Sequence, residues 1–248
     1  MLSSHYAGIL AGYAAASIFM SGVLLSFRPI FGAEQIRFAR PWLEIGLVVC
    51  AALVTIGIGQ AYLQDWLIPE TSLVAQTANQ TLIFAPLLVL LTIRAPGARG
   101  AGLPLTRAAL GLVPGILTAV GALWIYAMLR DFEPSSVFSS VFRVDNVPHA
   151  AQVLFEDMLI AALLLRVRAS VGFVGAIAIV ATLFAAGHVP ALLANGADIY
   201  GLAALFLDIG IGGLVLGVVL ASRSIWWFWP LHTAMDLTQF VGGPGGGS

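Results

Sequence analysis

Apolar runs close to twenty residues long, most of them closed by an arginine or a small polar cluster, follow one another along the whole chain. A helix that crosses the hydrocarbon layer needs about 20 such residues. Runs of that length predict eight transmembrane helices, over 7–27, 42–63, 73–93, 108–129, 147–165, 171–189, 199–221 and 225–241. Two of them carry polar residues: Gln76, Asn79 and Gln80 in the third, and Gln152, Glu156 and Asp157 in the fifth. The first has no Lys or Arg ahead of it and is too long for a cleavable signal, so it is expected to stay in the membrane.

The connections are short and leave no room for a soluble domain. The longest, 130–146, places Val137, Phe138, Val141 and Phe142 at helical spacing among serines, as an amphipathic turn lying at the membrane surface would. Gly8 and Gly12, and likewise Gly213 and Gly217, stand four apart, the spacing that lets membrane helices approach closely. The expected fold is an all-α, polytopic transmembrane helical bundle. Residues 1–146 would hold four helices and the interfacial loop, 147–241 a core of four more, and 242–248 a flexible Gly-rich tail.

Composition agrees with the pattern. Of 248 residues, 60% are hydrophobic and 9% charged, and the mean hydropathy is +0.98. A net charge of -1 offers no basic surface for a phosphate backbone, so nucleic acid is excluded as a partner. The single cysteine, Cys50, excludes an internal disulfide, a multi-cysteine zinc site and an iron–sulfur cluster; a metal would need His and carboxylate ligands. All basic residues are arginines, and their placement sets an orientation. If odd-to-even connections are cytoplasmic, that side holds Arg28, Arg37, Arg40, Arg94, Arg99, Arg107, Arg166, Arg168 and Arg223, against Arg130 and Arg143 opposite. Short cytoplasmic loops carry the excess of arginine. The expected protein is thus a multi-pass protein of a cell inner membrane, with both termini away from the cytoplasm.

The ionisable residues within the spans are Glu44, Glu156, Asp157, His188, Asp208, His232 and Asp236, and all but Glu44 fall in the last four. A central membrane carboxylate costs about 2.5–3.5 kcal/mol, so Glu156, Asp208 and Asp236 must face one another or a wet cavity. His232 and Asp236 share a helix face, as do Phe184 and His188. Glu156 and Asp157 point about 100° apart, so one of them faces the centre. The expectation is Glu156, with Asp157, Phe184 and Asp208 supporting it. A carboxylate in apolar surroundings with two imidazoles can activate water for hydrolysis.

Phe155-Glu156-Asp157, then Phe184-Ala185-Ala186-Gly187-His188, then His232-Thr233-Ala234-Met235-Asp236 resemble, in order and spacing, the three motifs of the CPBP family, the membrane proteases named for CAAX-processing and bacteriocin-processing enzymes. The approach to the third motif, a Gly-rich helix followed by Arg223-Ser224-Ile225-Trp226, is similar as well. The resemblance covers about 153–239 and implies an intramembrane endopeptidase acting on a membrane-embedded peptide or protein. Glu156 would be the general base, His188 a partner of the water or a metal, His232 an oxyanion donor or metal partner, and Asp236 the residue at the family's Asn position. Glu156, His188 and His232 would suit zinc, and a metal-free water is equally compatible. Asp157 replaces the family's second Glu, and Ala161 stands where the family has Arg. These departures give an alternative, a catalytically inactive membrane scaffold that binds partner helices. A proton-coupled transporter relaying through Glu156, Asp208 and Asp236 is a third reading, without an inverted repeat to support it.

Overall fold

The computed structural model describes residues 4–27, 36–94, 97–194 and 205–241. Among these residues there are nine α-helices, joined by turns and short 3-10 segments, and no strand. Helices are what hydrocarbon permits, because each backbone N–H and C=O is satisfied within its own segment. They are α1 (Ser4–Ser26), α2 (Pro41–Tyr62), α3 (Leu73–Ile83), α4 (Ala85–Ile93), α5 (Ala108–Leu129), α6 (Pro134–Val141), α7 (Val147–Ala194), α8 (Leu205–Ser222) and α9 (Phe228–Leu237). The Gly-rich tail, 242–248, lies outside the described residues, as does the start of the expected seventh span.

Five helices are long and apolar enough to cross a membrane, or six if α3 and α4, bent by 58°, form one broken span. The bend follows from Pro86 in the first turn of α4, which cannot continue the hydrogen bonding of α3. The polar residues of that third span have structural work: the Asn79 side chain donates to Ile68 O at 2.8 Å and accepts from Ile68 N at 3.0 Å, pinning the loop before α3. Helix α7 runs 48 residues, about 72 Å if straight, more than twice the hydrocarbon thickness. Gly172, at φ 82 and ψ -174, breaks it. A side chain disfavours that backbone, and glycine does not. Ile160 before the break and Ala181 after it line one cavity, so the two arms of α7 fold back on each other as the expected fifth and sixth spans. The expected last span is corrected. After a turn containing Arg223, at φ 51, α9 has only ten residues and one 3-10 turn beyond it, too short to cross alone.

Glycines set the closest contacts. Gly8 and Gly12 seat α1 against Tyr126 and Ala122 of α5, and Gly213 and Gly217 seat α8 against Ile177 of α7. Gly111 and Gly115 of α5 meet the backbone of Trp226 and Trp227, where α9 begins. The amphipathic connection is α6, with Val137 and Val141 buried, and with Phe138 and Phe142 stacked at 6.1 Å.

Arginines segregate in space as along the chain. Arg37, Arg168 and Arg223 line one cavity, and Arg94 and Arg166 meet Glu44 at that same end. Arg130, over the Phe132 ring, and Arg143, paired with Asp145 at 3.0 Å, belong to the opposite end. Arg166 corrects its reading as a loop arginine: its side chain is 0% exposed. It donates to Gly100 O at 2.8 Å and Ala162 O at 3.0 Å, faces Glu44 Oε2 at 3.4 Å and stands 4.8 Å over the Phe38 ring. Glu44, which also accepts from Arg94, thus locks α2 to α4 and α7.

A Cβ at Gly115 would sit 2.6 Å from the Trp227 carbonyl oxygen, while one at Gly121 on the same helix would meet nothing. Gly115→Ala is therefore expected to destabilise the detergent-solubilised protein by about 1–3 kcal/mol, with Gly121→Ala neutral or slightly stabilising, read by thermal unfolding. Glu44→Gln strands the Arg166 charge and is expected to cost about 3–5 kcal/mol in the same measurement.

Candidate functional site

Two hydrogen-bonded His–Asp pairs join the first arm of α7 to α9. His232 Nδ1 lies 2.7 Å from Asp157 Oδ1, and His149 Nε2 lies 2.5 Å from Asp236 Oδ2. The pairs are crossed: α7 offers His then Asp, and α9 offers His then Asp, running past each other in opposite directions. Trp229 Nε1, donating to Ala150 O at 2.9 Å, adds a third link. The i, i+4 spacing of His232 and Asp236 puts both on the α9 face turned to α7.

The inner pair is the buried one. Asp157 is 0% exposed and His232 10% at the side chain, against 21% for His149 and 41% for Asp236. Asp157 lies about 15 Å into α7 from its N-terminal end, about half the thickness of a hydrocarbon core. Phe228 stacks on the His232 ring at 4.9 Å, and Tyr13 of α1 meets it edge-on at 6.4 Å. With Nδ1 held by Asp157, Nε2 is the nitrogen left for other chemistry. Asp157 Oδ2 is buried and has no hydrogen-bond partner among the described residues. A buried carboxylate oxygen in that position is an acceptor for a water or ligand N–H.

A narrow cavity of about 100 Å³ reaches this pair. His232, Phe184, Asp208 and Tyr13 all line it, so residues from four helices converge there. The volume exceeds what a single water needs several-fold. Asp208 accepts a hydrogen bond from Tyr6 of α1. Glu156 is half-buried and accepts from Gln152 at 2.8 Å, one turn back on its own helix. It is Asp157, then, that bonds His232, and Glu156 stands beside the pair and contributes to its field. Asp236 is held by His149 near the open end of the helix pair. The side chain of His188 lies outside the described residues; its backbone continues the helix one turn beyond Phe184. Among the described residues no three His, Cys, Asp or Glu side chains gather to hold a metal, and His232 offers one ring nitrogen.

The residues that sequence reasoning passed over are His149, Tyr6 and Tyr13. Each had a signal. His149, Gln152 and Glu156 stand at i, i+3 and i+7, and Tyr6 and Tyr13 are seven apart on α1, so each set forms one helix stripe. What the sequence did not carry was which helices those stripes face.

The burial difference between the pairs is measurable by double-mutant cycles in detergent unfolded by added SDS. Alanine substitutions at Asp157 and His232 are expected to couple by about 1–3 kcal/mol. Those at His149 and Asp236 should couple by less than about 1 kcal/mol, as a partly solvated pair does.

Neither the curated proteins nor the solved structures give a match to this chain. Residues 147–238 match the family model described as type II CAAX prenyl endopeptidase Rce1-like. The match runs from the start of α7 to the end of α9 and takes in both His–Asp pairs. In sequence, that part of the chain is similar to the CAAX-processing membrane proteases, whose three motifs it also resembles.

Proposed function

We propose that this chain is an intramembrane endopeptidase that hydrolyses a peptide bond of a membrane-associated peptide or protein, in an inner membrane with the arginine-rich end cytoplasmic. The observation that carries the reading is the buried Asp157–His232 pair, whose imidazole lines a cavity shared with Tyr13, Phe184 and Asp208; Glu156 is the residue before Asp157 on α7. Glu156 removes a proton from water as the water oxygen bonds to the scissile carbonyl carbon. The carbonyl oxygen takes the negative charge. The His232 imidazolium, whose Nδ1–H is accepted by Asp157, donates its Nε2–H to that oxyanion together with the Tyr13 hydroxyl, and Asp157 balances the ring's positive charge. The proton then passes from Glu156 to the departing amine as the C–N bond breaks, leaving a carboxylic acid and an amine. Preformed donors at mid-membrane act in low dielectric, where they are worth more than in water. Asp236, the residue at the family's Asn position, accepts from His149 and serves to hold α9 against α7.

A second reading, a catalytically inactive scaffold, is favoured by Ala161. It is 1% exposed, and a Cβ at Gly102 would lie only 3.2 Å from its own, so a long cation has no place beside the acidic pair.

One comparison separates the two. Protein N-termini in membranes of cells making the wild-type chain are quantified against those from cells making Glu156→Gln at equal abundance. New termini that fall about 100-fold or more in Glu156→Gln are expected, in keeping with the weight of a general base. Tyr13→Phe should reduce them about 100-fold, the lower range for loss of one oxyanion donor. Identical termini from wild type and Glu156→Gln would overturn the protease reading in favour of the scaffold.

A further inference from the structure

A second cavity, about 500 Å³, opens at the arginine-rich end of the bundle, away from the Asp157–His232 pair. Three arginines line it from three separate stretches of the chain: Arg37 ahead of α2, Arg168 on the first arm of α7, and Arg223 in the turn between α8 and α9. The aromatic rings of Phe38 and Phe173 add apolar wall, and Gly172 lines it at the break in α7. Among the described lining residues there is no Asp or Glu.

Like charges brought together need a reason. Arg168 stands over the Phe173 ring at 5.7 Å and reaches Leu220 O at 3.4 Å, so aromatic and carbonyl contacts hold it in place. Arg223 sits at a left-handed backbone position that residues with a side chain seldom adopt, and this turns the chain between α8 and α9 at the cavity rim. Burial, and then the charge of Arg168, push the Arg223 guanidinium below its ordinary value. Both effects are relieved by an anion placed between the two. Guanidinium groups present paired N–H donors that match the oxygens of a phosphate, and a three-cornered set of them, Arg168 and Arg223 half-buried and Arg37 exposed, suits a phosphate more than a single carboxylate. The place is right as well. The cavity lies at the end of the bundle where Arg37 precedes α2 and Arg223 follows α8, and Ile36, Phe38, Leu165 and Phe173 give it apolar walls.

We propose that Arg37, Arg168 and Arg223 form a binding site for a phosphate-bearing anion, supplied by an anionic phospholipid headgroup or by free phosphate. The site does not depend on the protease reading. Arginines at a cytoplasmic face orient the chain without converging; here they converge on one volume from positions up to 186 residues apart (223 minus 37).

The test uses the full chain in neutral detergent, with thermal unfolding followed as phosphatidylglycerol, phosphatidylcholine or inorganic phosphate is titrated in. Phosphatidylglycerol is expected to raise Tm saturably, and phosphatidylcholine to leave it unchanged. The midpoint should weaken about tenfold or more in Arg168→Gln/Arg223→Gln, the loss of charge-assisted hydrogen bonds of 1.4 kcal/mol or above. Arg37→Gln, a change at an exposed side chain that leaves folding intact, should weaken it in the same direction. If phosphate alone reproduces the shift, the ligand is the free anion; if only the lipid does, it is the headgroup. A midpoint unchanged in Arg37→Gln, an equal shift with phosphatidylcholine, or no saturable shift with either phosphate source would overturn the site.

Discussion

A carboxylate inside hydrocarbon has to be answered by a cation or a donor from another helix, and this requirement decides which helices of the bundle meet. Apolar faces give no such instruction, since lipid tails suit them as well as a neighbouring leucine does. Glu44 is answered by Arg166 and Arg94, Asp157 by His232, Asp236 by His149, and Asp208 by Tyr6. Each partnership joins segments distant in sequence. Breaking one would leave a charge where few kcal/mol are available to house it. The polar residues are few, and the assembly hangs on them.

Glycine completes what charge begins. Where Gly111 and Gly115 let the Trp226–Trp227 backbone lie directly against α5, the short helix α9 gains a support that its ten residues cannot supply alone. That support matters because α9 carries His232 and Asp236. A helix too short to span is held at both ends by the first arm of α7, with Trp229 tied to Ala150 and Asp236 to His149. A ring on a helix clamped in this way loses little freedom when a reaction calls on it.

Much of the scaffold was legible because membrane physics writes directly into composition. Apolar runs marked the spans, arginine clusters marked one end, and the serine-spaced apolar residues of 130–146 marked α6. A break between the fifth and sixth spans was legible, but its seat at Gly172 and the shortness of α9 were not, since a hydropathy run is blind to a single backbone torsion and to the turn at Arg223. Arg166 shows the limit most clearly. One position past an apolar run, it reads as a loop residue, and only the distant Glu44 and Phe38 make it an interior one. For the site, spacing brought out the motif residues Glu156, Asp157, Phe184, His232 and Asp236. It did not bring out that Asp157 and His232 would pair, nor that Tyr13, from a helix without any motif, would stand at their cavity. Local periodicity tells which face a residue occupies; pairing between faces is a property of the folded whole.

Gly172 has a mechanical meaning beyond its torsion angle. It is the fulcrum of two levers, one carrying Glu156 and Asp157 and the other carrying Phe184 twelve residues along, about 18 Å from the pivot. At that radius a swing of about 5° displaces the tip by roughly 1.6 Å, more than a reacting geometry tolerates. The separation of the first and second motifs therefore follows from the backbone angle at one glycine that belongs to neither of them.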